Sequence, residues 1–392
     1  MNTFEYIGLG LGALALLALL TTYALYPAAM ALLATVRRRP WRRDEELLPP
    51  VTMVVAAYNE AGLIAEKIAN FHALDYPADR LFLVLGSDGS SDGTNDILTR
   101  HADGERVRAF LYDRGGKMKT VNRLVETVHT PYIVFSDANT MYEPHSIRRL
   151  MRHFADPSIG GVCGNLRLTP VSQSVGGAGE STYWSFENMI KRWEGEVIST
   201  LGASGGIYAI RRELYETQPE GTQVADDFLL PLRILRRGHR FVFDADAVGV
   251  EGTEPSMRRE FRRKIRVGIG TLNTMRALAP VLRGLPFSVR AMLFAHKWLR
   301  WTAPFFMLFL IILIPILSGI DWVHDFFFLP MLGFLLLALV GWIAELFDRR
   351  HGVLSLPFYF MAINTALFIA WFKIAQAHRN ATWERDDRRG VS

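Results

Sequence analysis

The side chains best suited to chemistry lie at the ends of apolar runs. Residues 132–140 read Tyr-Ile-Val-Phe-Ser-Asp-Ala-Asn-Thr, so Asp137 and Asn139 follow a β-branched and aromatic stretch. Spaced in this way, they can present two oxygen ligands to a hard cation such as Mg²⁺ or Mn²⁺, and a cation there could hold a diphosphate. The plainer role is a cap on the turn, with Asn139 tolerating the bend. A second acidic pair, Asp226-Asp227, opens an apolar helical pattern. Carboxylates at a helix start serve as caps, but adjacent side chains diverge, so one remains to face a cleft. Arg114-Gly115-Gly116-Lys117 joins a glycine pair, which lets backbone approach a ligand, to a point charge suited to phosphate. A basic surface turn would read the same. Residues 86–94 alternate Gly, Ser and Asp around Asp88 and Asp92, and such a turn suits a nucleotide base and ribose. Asp92 also fits a plain turn cap. Calcium is excluded, because Thr99 stands where the closing Glu of a calcium loop belongs.

These groups need strands that deliver them to one edge. Val51–Ala57 is a buried first strand with Tyr58-Asn59-Glu60 at its end, and Leu81–Leu85 is a second that runs into the Asp88 turn. The run that ends at Asp137 is a central strand, and the carboxyl edge of such a sheet is where α/β folds bind ligands. Helical patterns follow over Gly62–Leu74, from Asn95, and over Met118–Val128. The fold class is therefore α/β. Further on, Val162–Leu168 returns as a strand and Glu180–Ile198 as a helix carrying Trp184, Phe186 and Trp193. An aromatic stripe is usually core, although such rings also stack on sugars. The glycine-rich turn at Gly202–Gly206 enters a strand at Ile207–Ile210. Ser256–Arg276 is a basic helix with Arg258, Arg259, Arg262, Arg263, Lys264 and Arg266 around apolar Phe261, Ile265 and Ile269. Such a helix lies on an anionic leaflet, and some of its arginines can face a diphosphate.

The chain has 392 residues, 50% of them hydrophobic, and a mean hydropathy of +0.13, which is high for a wholly soluble protein. The excess sits at the two ends. Ile7–Thr35 carries no charge and is long enough for one span; Arg37, Arg38, Arg39, Arg42 and Arg43 follow it. That cluster places the middle of the chain in the cytoplasm, and a cleaved signal is disfavoured because Glu5, not a cation, precedes the apolar run. Three further spans are expected near Pro304–Ile320, Phe326–Phe347 and Leu356–Ala375, with Ala291–Trp301 as a separate interfacial element. Lys297, Arg300, Arg349 and Arg350 agree with a cytoplasmic middle. Four spans then put the tail outside despite Arg379, Arg385, Arg388 and Arg389; either it is tolerated there or one segment does not fully cross. The net charge of +5 and the pI near 9.3 trace mostly to these flanking arginines, which suggests membrane lipid rather than nucleic acid as a partner. A single cysteine, Cys163, excludes an intramolecular disulfide and shows no zinc spacing.

With these residues in place, the chain resembles the processive-type family 2 glycosyltransferases, the group of hyaluronan, chitin and cellulose synthases, from about Val51 to Val267. The likeness is specific because several short motifs occur in one order. It implies a nucleotide-sugar-binding domain of the glycosyltransferase A type, with a mixed, mainly parallel sheet and attached transmembrane helices. Residues matching Ala57, Tyr58, Glu60 and Asp88 hold the uridine part of the donor in that family, and the match to Lys117 lies near it. Asp137 matches the first Asp of the Asp-x-Asp metal motif, and Asp227 the catalytic base of Thr-Glu-Asp. Arg266 matches the phosphate-facing arginine of Gln-x-x-Arg-Trp, and Arg263 holds the first position of that motif. Asp226 and Trp184 are the acceptor-side candidates. Three departures matter: Asn139 for the second Asp, Ala225-Asp226 for Thr-Glu, and Val267 for the tryptophan that stacks on the acceptor sugar.

The resemblance implies inverting, metal-dependent transfer from a UDP-sugar to a growing exopolysaccharide or capsule-type glycan. The expected setting is the cytoplasmic face of a bacterial-type inner membrane. The expected layout is a membrane helix over 1–36, a catalytic domain over 50–255, interfacial helices over 256–301, three spans over 302–378 and a polar tail over 379–392. A single transfer to a membrane lipid is the alternative, since ceramide glucosyltransferases also accept Arg at the first position of that last motif. A transporter with a regulatory domain fits least, because the spans lack ionisable residues at their centres.

Overall fold

The computed structural model describes residues 1–169, 175–220, 224–253, 256–347 and 355–375. A long first helix, α1 (Thr3–Val36), has no charged side chain beyond Glu5. Its π turn at Thr21–Leu25 precedes Pro27, whose ring crowds the carbonyl four residues back and which has no amide hydrogen to donate. Then β1 (Val51–Ala57) leads to α2 (Ile64–His72), β2 (Leu81–Asp88) to α3 (Thr94–His101), and β3 (Val107–Tyr112) to α4 (Lys117–Glu126). Next come β4 (Tyr132–Asp137), β5 (Met141–Tyr142), α5 (Ser146–Met151), β6 (Ile159–Thr169) and α6 (Val175–Val197). The α/β unit closes with β7 (Tyr208–Arg211), α7 (Asp226–Arg236) and β8 (Arg240–Gly252). After it stand α8 (Met257–Leu282), α9 (Phe287–Ile316), α10 (Asp321–Leu346) and α11 (Ser355–Ala375).

The strands form one sheet in the order β3-β2-β1-β4-β7-β6-β8-β5. The first four are parallel, β7 runs antiparallel to both β4 and β6, and β8 returns parallel to β6. This is a mixed, mainly parallel sheet. Both faces are covered, and the period of two along each strand sorts side chains between two cores. Met53, Val55, Leu83, Leu85 and Val134 enter one core; Val54, Val84, Ile133 and Phe135 enter the other. That two-sided burial is why the strands read as unbroken apolar runs.

Helices α1, α9, α10 and α11 are each long and apolar enough to cross a membrane. The segment Ala291–Trp301, expected to be a separate interfacial element, is instead continuous with the following span in α9. Its polar side chains are used inward: His296 and Arg300 are buried, and they meet Glu194 and Glu187 of α6. Helix α8 also departs from a simple surface helix. Arg258, Arg259 and Arg262 are exposed, but Arg263 and Lys264 turn onto Glu180 and Glu260. Further along, Ile269 and Leu272 pack on Ala370 and Ile374 of α11, while Leu278 and Val281 join Tyr26 of α1 and Trp301 of α9. Arg349, Arg350 and the basic tail, which enter the expected orientation, lie outside the described residues.

Candidate active site

Register brings the acidic groups to one edge. Ala56 lies opposite Asp137 across β1 and β4, and Ala57 opposite Ser87 across β1 and β2, so Asp88 and Asp137 end neighbouring strands around β1. The loops beyond them are tied together. Asn59 adopts a left-handed φ of 55°; its amide N–H donates to Ser90 Oγ at 3.0 Å and its Oδ1 accepts from the Ser91 amide at 2.8 Å. Asn tolerates that conformation better than most residues. Asp92 acts as the turn cap, accepting from the Ala61 and Thr94 amides, each at 3.1 Å.

Asp88 is fully buried. It accepts from the amides of Gly115 at 2.7 Å and Gly116 at 3.0 Å, from Thr120 Oγ1 at 3.2 Å, and from the Arg114 guanidinium. Arg114 also lies over the Tyr58 ring, 3.4 Å from its centroid. Thus two of the side chains expected at a nucleobase, Tyr58 and Asp88, face one guanidinium. Glu60 is buried at the same edge and lines the cavity described below. Ala57 does not point there: strand alternation sends its side chain into the core and gives the cavity to Ala56, so Ala57 has only backbone to offer.

Lys117, the first residue of α4, bonds Asp137 Oδ1 at 2.7 Å. Burial works against its charge, but Asp137, Asp226 and Asp227 outweigh that and raise its pKa. Beneath the same loop lies a lysine that sequence reasoning missed. Lys67 is fully buried, donates to Ser136 Oγ at 2.7 Å and to the Thr140 carbonyl, and sits 4.4 Å from the Tyr142 ring centroid. Burial pulls its pKa down to about 7, against Asp137 and Glu251. Thr140 in turn donates to Glu251 of β8. Asn139 is buried and lines the cavity with Asp137. Among the described residues no group of three or more His, Cys, Asp or Glu side chains could form a metal cage. One carboxylate and one amide still suit a hard ion that takes its other ligands from phosphate and water.

The second acidic pair divides as its geometry requires. Asp226, expected on the acceptor side, accepts from the buried Tyr208 hydroxyl of β7 at 3.0 Å and also lines the cavity described below. Asp227 faces the glycine loop. A Cβ placed on Gly205 would lie 3.4 Å from Asp227 Oδ2 and 3.8 Å from Asp137 Oδ2, so the two carboxylates converge on one face of that glycine. Burial and the neighbouring Asp226 raise the Asp227 pKa to about 6, with Lys117 and Lys191 opposing. Lys191 is the second missed residue: buried, it donates to Ser204 Oγ at 2.8 Å and the Ala203 carbonyl at 3.2 Å, fixing the loop beside Asp227. Cys163 supports the same loop by accepting from the Ser204 amide at 3.1 Å. A lone lysine in an aromatic helix gives no spacing signal. Gly206 closes the loop where a Cβ would stand 2.4 Å from Thr140 Oγ1 and 2.6 Å from Glu251 Oε1. Gly206→Ala must therefore displace the Thr140–Glu251 contact, and its transfer rate is expected to fall at least about tenfold, since small misplacements at a reacting centre are expensive. Steady-state kinetics beside a melting curve would separate this effect from general unfolding.

One cavity of about 1090 Å³ connects these groups to the apolar helices. Lys117, Asp137, Asn139 and Asp227 line one end, and Tyr359, Asn364 and Leu367 of α11 line the other. Arg266 and Val267 of α8 line it too, as do Trp184 and Lys191, two turns apart on one face of α6 with Lys191 Nζ 5.1 Å from the Trp184 ring centroid. Arg263 also reaches the wall, but its guanidinium is held by Glu180 and Glu260, with Nε 2.9 Å from Glu260 Oε2. The expected diphosphate contact by Arg263 is thereby replaced by an ion-pair role, while Arg266 lines the cavity.

A mixed sheet with carboxylates at its carboxyl edge, a glycine-bounded lysine and a cavity leading to apolar helices define a transferase domain of the glycosyltransferase A type. The chain belongs to glycosyltransferase family 2: residues 49–270 match the family described as "Glycosyltransferase like family 2". It is similar to the poly-beta-1,6-N-acetyl-D-glucosamine synthase of Staphylococcus aureus, 22% identical over 202 residues, which cover 50% of this chain and 48% of that protein. It is also similar to the probable glycosyltransferase YdaM of Bacillus subtilis, at 23% identity over 241 residues, 58% of this chain and 56% of that one. The chain thus spans about half the length of these curated relatives. Among solved structures, the mannosyltransferase PcManGT from Pyrobaculum calidifontis, in complex with GDP-Man and Mn²⁺, shares the fold with a TM-score of 0.72. That match has 22% identity and covers 95% of this chain and 99% of the other.

Proposed function

We propose that this glycosyltransferase takes a sugar from a nucleotide-sugar, a UDP-sugar, and transfers it with inversion to an acceptor hydroxyl at the cytoplasmic face of a bacterial-type inner membrane. The observation that carries the reading is the placement of Asp137 and Asp227 together against one face of Gly205, in a cavity that continues to α11. Tyr58, Glu60 and Asp88 serve the base and ribose, with Ala57 contributing backbone. Lys117 and Arg266 serve the diphosphate. Asp137 and Asn139 would hold Mg²⁺ or Mn²⁺ together with donor phosphate oxygens. When bound, the ion neutralises charge that develops on the leaving diphosphate.

Asp227 does the proton chemistry. With a pKa near 6 it is ionised at neutral pH yet basic enough to accept a proton as the acceptor oxygen attacks the anomeric carbon. The new carbon–oxygen bond forms as the bond to the diphosphate breaks, and the nucleoside diphosphate leaves with that electron pair. Lys191 and the Gly202–Gly206 loop keep Asp227 in place. Trp184, on the cavity wall, offers a ring to the acceptor, and Asp226 positions Asp227 through its bond to Tyr208.

The similarity to a polysaccharide synthase supports a growing exopolysaccharide or capsule-type glycan as acceptor. Val267 on the cavity wall, where an aromatic platform would grip a chain, favours the second reading, a single transfer to a membrane lipid. Purified protein in lipid vesicles, given radiolabelled UDP- and GDP-sugars with Mg²⁺ or Mn²⁺, is expected to incorporate label from a UDP-sugar. Sizing the product decides between the acceptors: high-molecular-weight material for the polymer, one-sugar lipid for the single transfer. Exclusive use of a GDP-sugar would overturn the donor assignment, and no use of any nucleotide-sugar would overturn the reaction.

A further inference from the structure

We propose that the membrane end of the cavity is an oxyanion site that holds a phosphate carried by the acceptor; this rests on the transferase reading above and specifies its acceptor. Arg300 of α9 carries the argument. It lines the cavity with only 8% of its surface exposed. Its Nη1 donates to Glu187 of α6 and lies 3.5 Å from the Tyr183 hydroxyl, while Nε and Nη2 are buried with no hydrogen-bond partner among the described residues. Those two nitrogens form one edge of the guanidinium, and their parallel N–H groups match two oxygens of one oxyanion. Leaving buried charged donors unpaired is costly, so the fork suits an anion that enters the cavity.

Other donors without a partner among the described residues line the same cavity. The Tyr359 hydroxyl and Trp184 Nε1 are also buried, unpartnered and on the wall of this cavity. Lys297, one turn before Arg300, lines it too and reaches Glu187 at 3.2 Å. Donors thus come from α6, α9 and α11. A phosphate, whose oxygens accept from several directions, satisfies that spread better than a planar carboxylate. Glu187 fixes the plane of the fork by holding Nη1. Packing links the site to the reacting end: Phe228, the residue after Asp227, meets Trp301, the residue after Arg300, edge to face with centroids 5.4 Å apart. An acceptor anchored here by its phosphate would extend its hydroxyl toward Asp227, while Lys117 and Arg266 attend the donor diphosphate.

The test uses the full-length protein in phosphatidylcholine vesicles with Mn²⁺, the donor site saturated with UDP. Binding is titrated for dilauroyl phosphatidate, for dilauroylglycerol, which has the same chains without phosphate, and for inorganic phosphate. Phosphatidate is expected to bind at least about tenfold tighter than dilauroylglycerol, the difference one charge-assisted bidentate contact makes. Inorganic phosphate that binds as well as phosphatidate would identify a soluble phosphate-bearing acceptor; binding of phosphatidate alone would identify a lipid one. Arg300→Lys keeps the charge, and with it any general attraction to anionic lipid, but removes the fork. It is expected to weaken phosphate binding about tenfold with UDP affinity retained as the check on folding. Equal binding of phosphatidate and dilauroylglycerol by the unaltered protein would overturn the proposal, as would unchanged phosphate affinity in Arg300→Lys. UDP binding is titrated first; its absence would count against the donor reading, and the phosphate titration would still decide this one.

Discussion

Transfer by the Asp227→Asn protein is expected to fall by about 10²–10⁴-fold, the contribution typical of a positioned general base. UDP-sugar affinity, measured by calorimetry, should stay within about twofold, because the amide keeps the shape of the carboxylate and the base does not hold the donor. The pH profile provides the matching test. Since burial and Asp226 lift the Asp227 pKa to about 6, the unaltered enzyme should lose rate as pH falls through 6, whereas the residual rate of the variant should lack that limb. Stability should move the other way. A carboxyl whose folded pKa lies above its unfolded value binds more protons when folded, so its charge destabilises the fold once pH rises past both values. The variant is therefore expected to melt at a higher temperature than the unaltered protein at pH 7, with the gap closing below about pH 4, near the ordinary Asp value. A near-normal transfer rate would remove Asp227 from the role of base.

Lys117→Met should produce the second large effect, in two readouts at once. Lys117 pairs with Asp137 at 2.7 Å and stands at the start of α4, where the Gly115 and Gly116 amides already turn toward Asp88. Loss of a point charge at the diphosphate is expected to weaken UDP-sugar binding about 10–100-fold, as breaking a partly buried charge contact does. The same cation also opposes the upward shift of Asp227. Without it, the acid limb of the pH–rate profile should move to higher pH, although the altered residue does not itself titrate in that range. Lys117→Arg, which retains the charge, should keep the limb in place. A weaker donor affinity with an unmoved limb would mean that Lys117 and Asp227 do not share one electrostatic field, contrary to the geometry around Gly205.

Much of the catalytic edge could be read before any fold was seen, because its cues are local. Apolar runs in β1, β2 and β4 stop at polar residues, and burial on both faces of a parallel sheet demands that pattern. Asp88 and Asp137 follow from it, Asp227 from the acidic pair that opens a helical pattern, and Lys117 from its glycine pair. Other assignments failed for equally physical reasons. Arg263 and Arg266 are equivalent in a helix read alone, yet Glu180, which sits on α6, takes Arg263. The motif points to Ala57 at the donor, but strand alternation buries its methyl and leaves its backbone. The segment Ala291–Trp301 carries cations beside aromatics and so reads as interfacial; its cations have acidic partners on α6 that make burial possible.

Sequence alone therefore determined the apolar strands, the carboxylates at their ends and four apolar helices, since each depends on side chains a few residues apart along one element. Tertiary structure alone decided which partner each buried cation meets. Lys67 reaches Ser136 across 69 residues, and Arg300 reaches Glu187 across 113. An ion's partner depends on distance through space and on the burial both groups share, and neither quantity is carried by local periodicity. That is why the candidate base Asp227 was legible in the chain, while Lys191 behind its loop, Lys67 behind Asp137 and the arginine fork of α9 emerged only from the fold.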